Sequence, residues 1–235
     1  MPKQLNKTPL MPFYNNDHRI EIGIDEAGRG PMFGRVYSAA VVLPKTDDYD
    51  HSMMKDSKKF SSVKKINEAA DYIKKNALFW SVSWCDEKEI DKINIRQATF
   101  KAMHHSIKEI MNKSGTNDVL LLVDGNDFKS YNVFDEENQC QLAVPFLCFE
   151  GGDNKYTPIA AASILAKTER DKYINDLCEE HKLLNDVYGM ASHKGYGTKK
   201  HMDAIKENGI TPWHRKSYGI CKTTDNNKSF DEIKL

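Results

Sequence analysis

Residues 20–31 read Ile-Glu-Ile-Gly-Ile-Asp-Glu-Ala-Gly-Arg-Gly-Pro, a strand pattern followed by two acids and a glycine-rich segment. Apolar and polar residues alternate from Ile20 to Asp25, which is typical of a β-strand with one buried face. The acidic residues Asp25 and Glu26 end the strand, and the glycines that follow let the backbone turn sharply away from it. The stretch therefore predicts a sheet that presents two carboxylates beside a glycine-rich loop.

The rest of the chain predicts an α/β fold in which helices flank a mixed five-stranded central sheet. Strands predicted over 36–43 and 78–84 follow the first one and suggest an antiparallel meander. Residues 119–123 are apolar throughout, as expected for a strand buried on both faces, and 144–149 supply the fifth strand. Helices are predicted from Ser61 or Ser62, over 87–112, from Thr157 through Ala166, and between Thr198 and Gly209.

The composition indicates a globular protein without a bulk electrostatic preference. The chain has 235 residues, 40% of them hydrophobic and 29% charged, so it can bury a sizeable core. It carries 34 basic and 34 acidic residues, which give a formal net charge of zero. A nucleic-acid partner must therefore be held by local patches, and the lysine-rich segments 55–65 and 193–222 are the candidates.

Cysteine usage and the N-terminal sequence predict the compartment. The five cysteines form no Cys-x-x-Cys pair, which fits reduced thiols better than a disulfide framework or a zinc knuckle. Residues 1–18 lack the apolar core of a secretion signal, and no apolar run is long enough to span a membrane. We therefore expect a cytoplasmic protein without a membrane partner, in which residues 1–18 and 223–235 are flexible.

Acidic residues also follow two later strands. Asp124 precedes Gly125 at the end of the apolar strand, and Asp153 follows two glycines after the fifth strand. Ligands in open α/β sheets bind at strand ends, and converging carboxylates favour a raised pKa on one of them or a bound divalent cation. Oxygen donors without His or Cys favour Mg²⁺ or Mn²⁺ over zinc. For each acid alone, an ordinary turn or capping role stays open.

The Gly28-Arg29-Gly30 triplet can bring backbone amides and one guanidinium against a phosphate or a ribose. Two nucleotide-binding loops are excluded. Arg29-Gly30 stands where a P-loop needs Lys-Ser/Thr, and Phe33 stands where a dinucleotide fingerprint needs its third glycine. The remaining alternative is a tight turn with an incidental arginine.

Eight motifs in the same order resemble those of the type 2 ribonuclease H (ribonuclease HII) family. They are DEAGRGP at 25–31, Asp56-Ser57-Lys58-Lys59, Val123-Asp124-Gly125, Gly152-Asp153, Ala161–Lys167, Arg170-Asp171, His193–Thr198 and His214-Arg215. The departures from the family pattern remove none of the acids; they are Met32-Phe33, Arg35–Tyr37 and Ser217-Tyr218. The sister type, ribonuclease HIII, usually has Gly-Lys-Gly where this chain has Arg29 between its glycines.

The resemblance implies an RNase H-like catalytic domain over 19–180, with a helical substrate-binding region of the same domain over 181–222. It implies an endonuclease that hydrolyses the RNA strand of RNA–DNA hybrids. It also implies cleavage 5′ to ribonucleotides embedded in duplex DNA, as in ribonucleotide excision repair, leaving 5′-phosphate and 3′-hydroxyl ends. Two Mg²⁺ or Mn²⁺ ions are the implied cofactors of a two-metal mechanism.

The resemblance also assigns residues. The implied catalytic and metal-binding residues are Asp25, Glu26, Asp124 and Asp153, whereas Asp171 is expected to form a structural ion pair. The expected substrate-binding residues are Gly28, Arg29, Gly30, Lys58, Lys194 and Tyr196. We expect a monomer. We also expect no docking to a sliding clamp, because the C-terminal tail has no aromatic pair after a glutamine.

Two other functions are weighed against the same residues. A hybrid-binding protein with a disabled site would be favoured if one of the four acids were missing, but all are present. A nucleotide-binding oxidoreductase would need the glycine fingerprint that is absent. The residues therefore favour a metal-dependent ribonuclease.

Overall fold

The structure, a computed structural model, describes residues 9–46, 48–136 and 138–230. Five strands form one sheet in the order β3-β2-β1-β4-β7. They are β1 (Ile20–Ala27), β2 (Val36–Val42), β3 (Phe79–Cys85), β4 (Val119–Asp124) and β7 (Phe146–Phe149). β1 pairs with β4 and β4 with β7 in parallel. An antiparallel pair, β5 (Asn132–Asp135) and β6 (Cys140–Ala143), forms a separate sheet that the sequence did not predict.

Seven helices lie in the described part of the chain: α1 (Val63–Asn76), α2 (Glu87–Ile93), α3 (Ile95–Ser114), α4 (Thr157–Glu180), α5 (Lys182–Asp186), α6 (Met190–His193) and α7 (Lys199–Asn208). The single helix expected over 87–112 is two helices. Asn94 adopts a positive φ of 68° between them, and its side chain accepts a hydrogen bond from the Gln97 amide at 3.1 Å. Asn94 thus ends α2 and caps α3, which apolar periodicity does not reveal.

The chain divides into two compact units. The expected catalytic domain over 19–180, with its substrate-binding region over 181–222, stays a prediction. The first unit holds the described residues of Met1–Asp25, Ala40–Ser81 and Ile107–Ile164, and the second those of Glu26–Ala39, Val82–Ser106 and Leu165–Leu235. The first unit has a core cluster made by β4 and the start of α4, with Leu120, Leu122, Tyr156 and Ile159. The second has a larger cluster that includes Phe33, Ile174, Tyr188, Trp213 and Phe230.

Both ends of the described chain form hydrogen bonds with other segments of their unit. The Met11 amide donates to the Lys155 carbonyl at 2.8 Å, and the Met11 carbonyl accepts from the Thr157 amide at 2.9 Å. In the second unit the Asn227 amide donates to the Ile210 carbonyl at 2.7 Å, and the Phe230 side chain is buried. The flexibility expected for 1–18 and 223–235 stays a prediction, and 1–8 and 231–235 of these ranges lie outside the described residues.

Among the helices in the described ranges, none combines the length and the apolar character needed to cross a bilayer.

Candidate active site

Three of the four predicted acids lie in the first unit, at the ends of adjacent strands. The parallel register of β1 and β4 pairs Ile24 with Val123, so Asp25 and Asp124 are the next residues along the two strands. Asp153 lies in the short 3₁₀ helix Gly152–Asn154, which follows β7. Asp25 and Asp153 are buried. These carboxylates therefore lie at one edge of the sheet, as the strand ends in the sequence predict.

A backbone hydrogen bond joins Asp124 to the segment that carries Asp153. Oδ1 of Asp124 accepts from the Gly152 amide at 2.7 Å. A Cβ at position 152 would lie 2.7 Å from Cδ1 of Ile159 and 3.3 Å from that same Oδ1, so a larger residue would force the two segments apart. Glycine at this position places Asp153 next to Asp124.

Asp153 is a carboxyl group of this cluster whose pKa is raised above its ordinary value. Burial raises its pKa, and the negative charges of Asp56 and Asp124 raise it further. The amide of Asn154 opposes this effect by donating to Oδ1 of Asp153 at 2.9 Å. The structure thus contains the like-charge repulsion that converging strand ends predict.

Asp56 also belongs to this acidic cluster. It lies in the Asp56–Lys59 motif, but the sequence alone predicts no role for it. Nδ2 of Asn154 donates to Oδ2 of Asp56 at 3.4 Å, and the Lys58 amide donates to Oδ1 at 2.9 Å. Burial raises the pKa of Asp56, but these hydrogen bonds and the charges of Lys58 and Lys59 outweigh it and lower the pKa. The Asp-Ser-Lys-Lys motif at 56–59 was the feature of the sequence that could have pointed to Asp56.

The donor chemistry of the first unit fits a hard divalent cation. Asp25, Asp124 and Asp153 offer only carboxylate oxygens, and the repulsion that raises the pKa of Asp153 is of the kind that a cation relieves. Within the described ranges, however, no three His, Cys, Asp or Glu side chains are already arranged to coordinate a metal ion. The fit to a divalent cation rests on the type of the donor atoms and on their positions along the sheet edge.

The second unit contains Glu26 and the Gly-Arg-Gly loop. The Arg29 guanidinium contacts Oε1 of Glu26 at 3.2 Å, and the Arg29 side chain remains 54% exposed. An ion pair this exposed contributes only about 0–1 kcal/mol, so the guanidinium can exchange this partner for a phosphate. Gly28 has a φ of +93°, and a Cβ there would lie 2.2 Å from Nε of Arg170.

A buried arginine holds the carbonyl groups of this loop. Arg215 is fully buried and donates to the carbonyl oxygens of Gly28 at 2.7 Å, Arg29 at 3.1 Å, Pro31 at 2.7 Å and Gly34 at 2.8 Å. Burial lowers its pKa to about 10, so it stays charged at neutral pH. The loop carbonyls, which would repel a phosphate, are turned toward the guanidinium.

Arg170 supports the same loop from α4. It is 1% exposed and donates to the carbonyls of Phe33 at 3.3 Å and Lys194 at 2.9 Å. Arg170 and Arg215 both lie within motifs of the family resemblance, but the sequence alone predicts no role for either. Asp171, the next residue, pairs with Lys167 at 2.6 Å, which confirms its expected structural ion pair.

The remaining predicted substrate residues differ in availability. The Tyr196 ring is 49% exposed, and its Cε1 lies 3.5 Å from the point where a Cβ on Gly30 would be. Lys58 is exposed. Lys194, in contrast, donates its Nζ hydrogens to the Ala191 carbonyl at 2.7 Å and to Asn175, and burial lowers its pKa. A substrate contact by Lys194 stays a prediction that would require these bonds to break.

The family of the chain follows from comparison with known proteins. The model of the family described as ribonuclease HII matches residues 22–221. The chain belongs to the ribonuclease HII family. The ribonuclease HII of Bacteroides thetaiotaomicron is 41% identical over 221 residues, which cover 94% of this chain and 100% of that protein. Membership confirms the resemblance read from the motifs and the assignment as a ribonuclease H endonuclease.

Solved structures agree with this assignment. The ribonuclease HII in a complex with PCNA from Archaeoglobus fulgidus has a TM-score of 0.62 and 25% identity, covering 85% of this chain and 95% of that one. Bst-RNase HIII in complex with Mn²⁺ has a TM-score of 0.60 and 14% identity, covering 80% of this chain and 70% of that one, and supports the fold alone. The expected RNase H-like α/β fold is confirmed. The ribonuclease H family depends on divalent metals and acts on RNA–DNA hybrids.

Proposed function

We propose that this ribonuclease H cleaves the RNA strand of hybrids and the 5′ side of single ribonucleotides embedded in duplex DNA, leaving 5′-phosphate and 3′-hydroxyl ends. The observation that carries this proposal is the acidic cluster of the first unit. There, Asp25 and Asp124 follow paired strand positions. Burial and then the charges of Asp56 and Asp124 raise the pKa of Asp153. Such a cluster suits metal-assisted hydrolysis of a phosphodiester.

Four carboxylates would hold the metal ions, Mg²⁺ or Mn²⁺: Asp25, Glu26, Asp124 and Asp153. Two bound ions would supply an activated water on one side of the phosphodiester and charge stabilisation of the leaving oxygen on the other. The chain itself orients the ligands, because the Gly152 amide holds Oδ1 of Asp124 and Asn154 holds Oδ1 of Asp153. No side chain needs to act as a nucleophile.

Recognition of the ribonucleotide is assigned to the second unit. RNA differs from DNA at the cleaved position by the 2′-hydroxyl, so discrimination needs groups that contact it or its sugar. The amides of Gly28, Arg29 and Gly30 are candidates, since Arg215 occupies the carbonyls of Gly28 and Arg29. The half-exposed Tyr196 beside Gly30 would abut the neighbouring sugar. In the first unit, the exposed Lys58 would contact the phosphate backbone.

The chain is further proposed to act as a monomer without a sliding clamp. The Archaeoglobus fulgidus relative is in a complex with PCNA. Here the tail has no aromatic pair after a glutamine, and the Phe230 ring packs at 5.8 Å against Trp213 instead of projecting from the surface. Light scattering of the purified protein tests the monomer directly.

The proposal is tested with carboxylate variants on a DNA duplex that contains one ribonucleotide, with Mg²⁺, with Mn²⁺ and with a chelator. We expect Asp25→Asn and Asp124→Asn each to lower the rate by at least ~10²-fold while the fold is kept. Asp171→Asn is the matched control, since its carboxylate is engaged with Lys167, and it should keep substantial activity. Near-normal hydrolysis by either strand-end variant would refute the assignment.

A further inference from the structure

Three histidines form a cluster in the second unit, and two of them are buried. His201 and His214 are 0% and 1% exposed, and their Nε2 atoms lie 3.0 Å apart. The ring of His193 stacks on that of His201, with centroids 4.8 Å apart and planes inclined by 19°. A buried titratable pair of this kind needs both rings to be in defined tautomers, since one nitrogen must donate and the other accept.

The backbone determines the tautomer of His214. Its Nδ1 lies 2.9 Å from the Thr211 amide nitrogen and 2.8 Å from the Thr211 hydroxyl. Because an amide N–H can only donate, Nδ1 must carry a lone pair. A neutral His214 therefore has its proton on Nε2 and donates it to Nε2 of His201.

His201 then has only one arrangement left. Its Nε2 accepts, so its proton is on Nδ1, which lies 2.9 Å from the carbonyl oxygen of Tyr196. Burial lowers the pKa of His201 to about 4 and that of His214 well below its usual value, which keeps both rings neutral at pH 7. A directed chain of hydrogen bonds thus runs from Thr211 through both rings to Tyr196.

The groups around the pair support the same arrangement. Nδ1 of His193 accepts from the Gly195 amide at 3.2 Å, so its Nε2 is the donor to the Tyr188 carbonyl at 2.7 Å. The His193 carbonyl accepts from the Tyr196 amide at 3.0 Å. The peptide groups on both sides of Tyr196 are therefore held by this histidine cluster and the turn that carries it.

We propose that His201 and His214 are positioning residues for Tyr196: His214 sets the tautomer of His201, and His201 then holds the Tyr196 carbonyl. This inference rests on the proposed function, in which the Tyr196 ring contacts the substrate. If His214 could not donate, His201 would be free to carry its proton on Nε2. A lone pair on Nδ1 would then face the carbonyl oxygen of Tyr196, and the two would repel each other.

The tautomers are tested by ¹⁵N NMR of the histidine rings in the wild-type protein at pH 7.5, with assignment by single His variants among the eight histidines. We expect His201 to carry its proton on Nδ1 and His214 on Nε2. The opposite tautomer on either ring would overturn the inference. This measurement is made on the wild-type protein and does not depend on activity.

The positioning role is tested by two substitutions that separate the ring nitrogens. His201→Asn keeps a donor near the Nδ1 position, whereas His201→Gln places its amide near Nε2 and leaves the Tyr196 carbonyl without this donor. We expect His201→Gln to raise KM for a single embedded ribonucleotide by about threefold to tenfold, with kcat little changed. His201→Asn should stay nearer to wild type. Equal effects of the two variants, or no effect of His201→Gln, would overturn the positioning role.

A parallel measurement on Tyr196→Ala separates the positioning role of His201 from the proposed substrate contact of Tyr196. If Tyr196→Ala impairs cleavage and His201→Gln does not, the positioning role fails while the proposed function stands. If Tyr196→Ala has no effect, the proposed substrate contact fails and the positioning role fails with it, although the tautomer assignment would still hold. Loss of kcat/KM in both variants, with the expected tautomers, supports the inference.

Discussion

Replacing Arg215 with lysine should disrupt the loop Gly28–Gly34, to which the proposed function assigns substrate binding. The arginine donates to four carbonyl groups between Gly28 and Gly34 while fully buried. A lysine keeps the positive charge but has a compact ammonium group in place of the planar fork, so it cannot reach all four acceptors. Two or more carbonyls should then lose their partner.

The structure gives an approximate magnitude for this effect. A hydrogen bond from a charged donor contributes about 1.5–3 kcal/mol, and water or backbone relaxation recovers part of the loss. We expect Arg215→Lys to lower the free energy of unfolding by about 2–4 kcal/mol and kcat/KM by at least about tenfold. Lys216→Gln is the matched control, because the neighbouring side chain is exposed, and it should change stability by less than about 0.5 kcal/mol.

Urea denaturation followed by circular dichroism measures the stability, and cleavage of a duplex with one ribonucleotide measures the activity. If Arg215→Lys unfolds within about 0.5 kcal/mol of wild type and cleaves normally, the loop does not depend on the guanidinium. A stability loss without an activity loss would contradict the link between the loop carbonyls and substrate binding.

Four further outcomes are expected. Tyr196→Ala should impair cleavage at a single ribonucleotide more than on a continuous hybrid, with Tyr196→Phe milder, and equal losses of kcat/KM on the two substrates would mean that the ring only packs. His201 has a pKa of about 4 in the folded state, below its unfolded value near 6.5, so the folded state binds fewer protons. The free energy of unfolding should therefore fall as pH drops from about 6.5 to 4, and His201→Asn should flatten that slope in urea titrations. Asp153→Asn, measured in chelator at pH 7, should raise the unfolding free energy because burial and carboxylate repulsion disfavour the charged form, whereas a loss would contradict the raised pKa. Phe230→Ala should cost about 3 kcal/mol if the tail is docked as described, and a change below about 1 kcal/mol would show that it is not.

Much of the fold was predictable because its elements have strong local patterns. The alternation in β1 and the apolar run of β4 placed these strands within a few residues of their observed bounds. The β5–β6 pair was missed because its residues are mostly exposed and lack a buried alternating face. The docking of Phe230 depends on Trp213 and the rest of the second core, a tertiary contact that no local pattern records.

The candidate site was predictable only where chemistry coincides with strand ends. Asp25, Asp124 and Asp153 each follow a predicted strand, so their convergence could be inferred from topology alone. Asp56 precedes a 3₁₀ turn, and its approach to Asp153 through Asn154 depends on how that turn packs. The role of Arg215 also needs the folded structure, because an arginine in a basic segment is usually solvated and this one is fully buried.

The most direct test of the central claim is the position of the cut in a DNA duplex that carries one ribonucleotide, mapped at nucleotide resolution with Mg²⁺ and separately with Mn²⁺. We expect one cleavage on the 5′ side of the ribonucleotide, with a 3′-hydroxyl on the upstream DNA and a 5′-phosphate on the ribonucleotide. The same duplex without the ribonucleotide should stay intact. Cleavage 3′ to the ribonucleotide, cleavage of the all-DNA duplex, or equal cleavage in chelator would contradict the account.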